Sequence, residues 1–495
     1  MSRSPHRLVS PVNAIFGSLV ISNRAEIRVM ASLAKPWWPI AVWIFFFLAV
    51  CADAQSPMIT ILSNGPPAHR LNIVLLSEGY TSNQLGQFFL DATNTVNAFF
   101  SEPPFQEYRS YFNAFAIPIV SNQSGSDHPN GATYRDTYFN SSYDADSDLL
   151  ITIPPNDFDT NYDHGQGRVD ALLQTNLPEC QLPIMLVNDP VRGGSDGSGR
   201  TAIASTAVGS GVFVIHESGH VLANLGDEYV FENPGYPDTE EPNTTTETNL
   251  DLIKWRAWID TNSTPVPTPP TAQYANSVGL FEGAHYHPQG WYRPQLNCAM
   301  GNFSAPFCAV CREALVLAIY QRIHAVDEFF PAQTNLSLSA TQAISFSISV
   351  LQPATHALSV QWFTNAVPVP GEANLTFDPG LNWFTNAINQ VSVRVADETP
   401  WVRNDPADLL VQRVTWNMQV DAPQLWLDSA NFLPDGRFGF RVTGVAPDGF
   451  VIETSSNLWN WSVVETAALV NAEFFYTNAP GGDLVDQYFR ARLLP

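Results

Sequence analysis

Basic side chains are scarce in this chain. Lys and Arg together number 23 against 47 Asp and Glu, leaving a net charge of −24 over 495 residues. A nucleic-acid backbone or an anionic membrane surface meets no attraction in such a field, so neither is an expected partner. Cysteine is sparse as well, at five residues. The core must therefore come from apolar packing, and a 45% apolar fraction supplies it and excludes global disorder. No hydrophobic run of spanning length follows the first fifty residues. Stable membrane insertion of the mature chain is therefore not expected. The length exceeds one ordinary domain, and about two to four are expected.

The single long apolar run, Trp37 to Val50, follows Lys35 and precedes Ala52-Asp53-Ala54. A charged region, a short hydrophobic region and a small-x-small site make a secretory signal. The run is shorter than the ~20 residues a spanning helix needs. Cleavage is expected after Ala54, with residues 1–54 as leader and Met30 as a candidate start. Lipid attachment at Cys51 fits less well, because bulky Val50 stands where a small residue is wanted. The mature protein is expected outside the cytoplasm: secreted, periplasmic or on the cell surface.

The chemistry concentrates in VFVIHESGHVLANLGDEY, residues 212–229. His216 and His220 stand four apart, so on a helix both imidazoles share one face and can reach one metal ion. Glu217 then lies beside the open coordination position, where it can take a proton from bound water. This is the HExxH spacing of zinc hydrolases, expected with one Zn2+ per chain. The apolar run Val212–Ile215 supplies a dry wall, and Gly219 leaves room for close packing. The helix is expected to run to Leu225, with Gly226 turning the chain left-handed. Asp227 and Glu228 then return a carboxylate to the metal. Asp227 is the preferred third ligand, because a short arm suits a ligand directly after a turn. Glu228 is the alternative. The competing reading is a core helix that happens to carry two histidines.

The segment HESGHVLANLGDEY resembles the core motif of the M64 peptidases, the family named after an IgA-cleaving metallopeptidase. Further blocks match that family in chain order: LNIVLLSEGYT (71–81), PPFQEYRSYFNAFAIPIVSNQSGSDHP (103–129), LVNDPVRGG (186–194), GLFEGAHYHPQGWYRP (279–294) and NCAMGNFSAPFCAVCREAL (297–315). The resemblance covers about residues 70–325. It implies zinc-dependent hydrolysis of protein or peptide substrates. It departs at Glu78, where the family pattern leads one to expect Asp, so a local hydrogen bond there is in question. Met300, in the turn-forming NCAMGN, is a candidate for the methionine turn that underlies the zinc histidines in metzincins. An ordinary core methionine is the competing reading. Tyr286, His287, Tyr292 and Arg293 are candidates for an oxyanion or substrate loop, with a plain surface loop as the alternative. RGGSDGSGR, residues 192–200, either leads into an edge strand that pairs with substrate or is a flexible Gly/Ser loop.

The fold expected for residues 55–330 is an α/β zincin, metzincin-like, with helices packed on a mixed sheet. Buried strands are expected at Leu71–Leu76, Phe112–Val120 and Pro183–Val187. An amphipathic helix is expected over Gln84–Phe100, with Leu85, Phe88, Phe89, Ala92, Val96 and Phe99 on its apolar stripe. Residues 230–296 read as long irregular loops, with a disordered insert around Pro265–Pro270 as one option. From about Pro331 the alternation LSLSATQAISFSISV, LSVQWFTN and VQRVTWNMQV suggests an Ig-like sandwich over 331–421. A small β-domain is expected over 422–495. There Trp426, Trp459, Trp461, Phe474, Phe475 and Tyr488 are expected in the core rather than as a ligand platform. Few core contacts are expected to cross residue 331, so a chain ending there should still hydrolyse small peptides.

After signal cleavage Cys180, Cys298, Cys308 and Cys311 remain. Structural disulfides are the default in an oxidising compartment, with pairing undetermined. A redox-active CxxC at Cys308/Cys311 and a second metal site built with Cys298 are alternatives. Two other function classes stay open. One is a non-catalytic adhesion or binding protein on a zincin scaffold, its β-domains touching glycan or cell surface. The other is a zinc amidase acting on cell-wall peptide. The intact Glu217 argues against the first, since metal binding alone does not require it.

Overall fold

The computed structural model describes residues 58–494 apart from 146–148, 196–199, 234, 339–342, 380–387, 421–423, 447 and 479–486. The expected leader, residues 1–54, lies outside the described residues.

The site is carried by a six-stranded mixed sheet. Strand Leu71–Glu78 is buried along its whole length, as its continuous aliphatic run requires of a strand covered on both faces. It pairs in parallel with Phe112–Ile117 on one side and Cys180–Val187 on the other. Ala202–Ser205 extends the parallel set. Ile59–Leu62 and Gly194–Ser195 close the two edges antiparallel. Alternation sends Leu71, Ile73 and Leu75 to one face and Val74 and Leu76 to the other. The first face is covered by α1 (Leu85–Phe99), α3 (Gly211–Ala223) and α4 (Ala309–Arg322), the second by α2 (Gln166–Asn176). On α1, Phe88, Ala92, Val96 and Phe99 are buried as the 3.6-residue period expects, whereas Phe89 faces out.

Glu78 ends the central strand with a fully buried carboxylate. It accepts from Thr137 Oγ1 at 2.6 Å and from the amides of Phe139 and Ser141 at 2.9 Å each. The hydrogen bonding in question at this position is therefore made, and the longer arm pins the 137–141 loop. The described residues of 230–296 form short 3-10 turns and a hairpin, Phe281–Ala284 with His287–Arg293. Thr264 and Thr268 are buried, and the Thr268 amide donates to Leu280 O, so the Pro265–Pro270 stretch is packed rather than disordered.

Two sheets then pack face to face. The first begins with Val326–Phe330, a few residues ahead of the expected boundary, and the second centres on Gln390–Ala396 and Val411–Val420. Trp362 and Trp416 stack between them at 5.9 Å. Their core is continuous with that of the α/β unit. The expectation of few contacts across residue 331 fails for a physical reason. A polar network is buried at the junction, and polar groups taken out of water must find partners. Asp397 accepts from Tyr108 and Tyr320 at 2.8 and 2.6 Å, and His356 lies 2.9 Å from Glu107 and 2.7 Å from Asp397. Arg70 pairs with Asp327 through both terminal guanidinium nitrogens at 2.7 and 2.8 Å.

The final residues form two three-stranded sheets around Phe440, Val442, Phe450, Ile452 and Tyr476. Trp426, Trp459, Phe475 and Tyr488 are exposed, and Trp461 and Phe474 are half-buried, so the expected aromatic core is smaller than thought. Strand alternation accounts for one pair: Phe474 faces in, so Phe475 must face out.

Candidate metal centre

Helix α3 runs Gly211–Ala223, and Asn224, not Gly226, supplies the left-handed cap at φ 49°. Its amide donates to His220 O and the Leu225 amide to Gly219 O, which satisfies carbonyls of the last turn. Gly226 serves a different need. A Cβ there would lie 2.4 Å from Glu241 Oε2, so any larger residue would have to displace the Glu241 side chain. The Asn243 side chain clamps Gly226 through both its amide and its carbonyl, at 2.7 and 2.9 Å. The early helix stop and this clamp bring Asp227 back over the histidines.

His216 Nε2 and His220 Nε2 lie 3.2 Å apart, and Asp227 Oδ1 lies 3.1 and 3.5 Å from them. A tetrahedral centre with bonds of about 2.0–2.1 Å has edges of about 3.3–3.4 Å, so the three atoms form one face of such a centre. Both Nδ1 atoms face backbone carbonyls, Ala299 O at 2.9 Å and Leu225 O at 2.6 Å. With the proton on Nδ1, each Nε2 lone pair is directed at the shared point. Asp227 Oδ1 is buried and accepts no hydrogen bond, although it sits close to both rings. Proximity without donor alignment is what ligand atoms aimed at a common cation produce. The donor set therefore fits a divalent ion. Glu217 Oε2 lies 3.8 Å from His220 Nε2, farther than Asp227, beside the triangle rather than in it.

The electrostatics agree. Burial pushes the Asp227 carboxyl up, but its contacts with His216 and His220 outweigh that and hold it well below the usual range. Burial pushes the His216 imidazolium down, yet Asp227 and Glu217 leave it raised. A site that favours positive charge so strongly is suited to a cation.

The centre forms the floor of a cleft of about 720 Å³. Tyr286 reaches it and donates its hydroxyl to Asp227 Oδ2, so among the loop candidates it holds the carboxylate in place. His287, Tyr292 and Arg293 do not line the cleft. His287 Nδ1 turns to His285 O, Tyr292 pairs through its backbone with Thr245, and Arg293 donates to Glu228 O. Met300 is fully buried beneath the helix, and a Cβ on Gly219 would stand 3.0 Å from its sulfur. Glu228 turns away from the histidines toward Cys298, Cys308 and Cys311. No disulfide joins these three or Cys180, which packs on the opposite face of the sheet. The default expectation of disulfides is thus corrected, since three cysteines meet around one carboxylate and the fourth is elsewhere. Strand Gly194–Ser195 lines the cleft but is not an open edge, because Leu150 bridges Gly194 on its outer side. Leu149 and Leu150 form the exposed rim instead.

Tyr229, Tyr236 and Phe303 also line the cleft and were not singled out in the sequence. Tyr229 follows the acidic pair and Phe303 lies three residues after Met300, so adjacency was an available signal for both. Asn243, distant in sequence, gave none.

No curated protein matches the chain. Among solved structures, one titled the apo structure of Bacteroides uniformis β-glucuronidase 3 overlaps 43% of this chain and 30% of its own length. It does so at 9% identity and a TM-score of 0.12, too low to carry an argument. A family model described as IgA Peptidase M64 matches residues 59–273 and 270–319, more than half of the chain and the whole of the centre just described. The chain belongs to the M64 peptidase family.

Proposed function

We propose that the chain is a secreted zinc-dependent endopeptidase of zincin, metzincin-like design. His216, His220 and Asp227 would hold the ion and Glu217 would act as general base. The observation that carries this reading is the triangle of two Nε2 atoms and one carboxylate oxygen, with edges of 3.1–3.5 Å, on the floor of a cleft. Zinc, when bound, acidifies water and polarises a carbonyl. Glu217 accepts the proton of the attacking water and returns it to the leaving amine. Tyr286 keeps Asp227 oriented. Burial and the neighbouring Asp227 push the Tyr286 phenol up, so it stays a donor at working pH. Leu149 and Leu150 on the rim would contact substrate side chains. The sandwich that follows, Ig-like in this reading, and the terminal β-domain would space or attach the enzyme.

The test is Glu217→Gln in the full mature chain, with metal content and hydrolysis of casein and of cell-wall peptide measured together. Metal is expected to stay, and casein hydrolysis to fall by about 10²–10⁴-fold. Retained proteolysis with metal bound would refute the mechanism. Activity on cell-wall peptide alone would make the chain an amidase.

A further inference from the structure

Beneath the metal centre the chain builds a second constellation. The sulfurs of Cys298, Cys308 and Cys311 and one carboxylate oxygen of Glu228 all lie within 4.8 Å of one another, and all four residues are buried. Cys298 Sγ is 3.5 Å from Cys311 Sγ, and Cys311 Sγ is 3.8 Å from Glu228 Oε1. A disulfide needs about 2.05 Å between sulfurs, would use two of the three, and would leave the third beside a buried carboxylate. A tetrahedral ion with bonds of about 2.3 Å to sulfur and about 2.0 Å to oxygen has S–S edges near 3.8 Å and S–O edges near 3.5 Å. The observed S–S spacing of 3.5 Å and S–O spacing of 3.8 Å each lie within about 0.3 Å of those edges, far nearer to them than to a disulfide.

Two independent observations point to a cation. Glu228 Oε2 is buried with no hydrogen-bond partner, Oε1 meets only the Asn243 amide at 3.0 Å and the Cys311 thiol at 3.8 Å, and the nearby Arg293 guanidinium donates to the Glu228 backbone carbonyl rather than to the carboxylate. A carboxylate so placed is costly unless a positive charge meets it. The backbone also supports thiolates. The Cys308 amide points at Cys298 Sγ at 3.4 Å and the Cys311 amide at Cys308 Sγ at 3.5 Å. The second contact caps α4, so the positive end of that helix faces the cluster.

We propose that Cys298, Cys308, Cys311 and Glu228 bind one structural zinc ion, separate from the cleft centre. Three soft thiolates and one carboxylate, closed to solvent, suit zinc in a site with no open position. The ion would tie three pieces together: the methionine turn through Cys298, the start of α4 through Cys308 and Cys311, and the segment after α3 through Glu228. The Glu228 amide already donates to Met300 O at 2.9 Å. Asp227 and Glu228, adjacent in sequence, thus face opposite ways. Anchoring Glu228 below fixes Asp227 above, so the buried ion would position the upper site without touching substrate.

The test uses the full mature chain carrying His216→Ala and His220→Ala, which removes the cleft ligands and leaves the lower cluster intact. Elemental analysis is expected to find one zinc per chain, against two in the parent. Cobalt loaded in its place should give a thiolate-to-cobalt charge-transfer band, lost on adding Cys308→Ser. Should that triple variant fail to fold, the band in the folded double variant and alkylation of the parent decide. The three thiols should resist alkylation until a chelator is added. A double variant with no bound metal, no charge-transfer band, or an intact mass showing two cysteines oxidised would overturn the proposal. None of these readouts depends on hydrolysis, so failure here is distinct from failure of the peptidase reading.

Discussion

Removing Asp397 should destabilise the peptidase unit although the residue belongs to the sandwich. Its Oδ2 accepts from Tyr108 and Tyr320, which stand on the α/β side, and its Oδ1 meets His356 at 2.7 Å and the Thr399 amide at 2.9 Å. His356 in turn meets Glu107, again on the α/β side, at 2.9 Å. Asp397→Ala strands two buried tyrosine hydroxyls and removes one partner of a buried pair. Each orphaned hydroxyl costs about 1–3 kcal/mol, and breaking a buried charged contact costs about 3–5 kcal/mol. These overlap, and Tyr320 keeps its contact with Tyr111 at 2.9 Å. The net loss is therefore about 3–5 kcal/mol. At roughly 2 °C per kcal/mol for a cooperative unit of this size, Tm should fall by roughly 6–10 °C. Asp397→Asn keeps one acceptor and should lose about half as much. Calorimetry should show the α/β unit and sandwich melting together, with peptide hydrolysis disappearing along the same curve. By the same logic a chain ending near Pro331 loses every one of these partners and should not stay active. An unchanged Tm, or a low-temperature transition of the sandwich alone with hydrolysis intact, would refute the argument and restore independent domains.

Other outcomes follow from single contacts. Tyr286→Phe removes the hydroxyl that holds Asp227, and metal affinity measured by chelator competition should fall about 10–100-fold, with no change if the contact is idle. Gly219→Ala gains about 1 kcal/mol of helix propensity but presses its Cβ onto Met300 Sδ at 3.0 Å and Leu225 at 3.1 Å, overpacking worth about 1–3 kcal/mol. A small net destabilisation is expected in urea melts for alanine, a severe one for valine, and a stabilised Gly219→Val would contradict the close packing. Burial alone would raise Glu240, but Thr246, Lys254 and Thr245 hold it down at about 2 from an ordinary 4.5. Its folded value is depressed, so its contribution is full above about 4.5 and is lost as pH falls through about 2. Urea midpoints between pH 5 and pH 2 should therefore drop less in Glu240→Gln than in the parent.

What the sequence made legible was whatever local periodicity or spacing controls. The buried strand at Leu71, the amphipathic α1 and the His216/His220 pair are all set within a few residues, so they could be read directly. The choice between Asp227 and Glu228 could not. Both follow the same turn, and arm length separates them only weakly. What separates them lies far along the chain: Asn243 clamps Gly226 and Glu228, Met300 O takes the Glu228 amide, and Tyr286 takes Asp227. The same holds for the cysteines. Counting four invites two disulfides, but Cys180 ends on one face of the sheet and the other three on the opposite face around a carboxylate. A count carries no information about which face of a sheet a residue occupies. The missed junction at residue 331 has a third cause. Composition marks where one kind of secondary structure gives way to another, yet cooperativity depends on what is buried between them. Here that is Asp397, His356 and Glu107, three polar residues that look like ordinary surface positions until their partners are known.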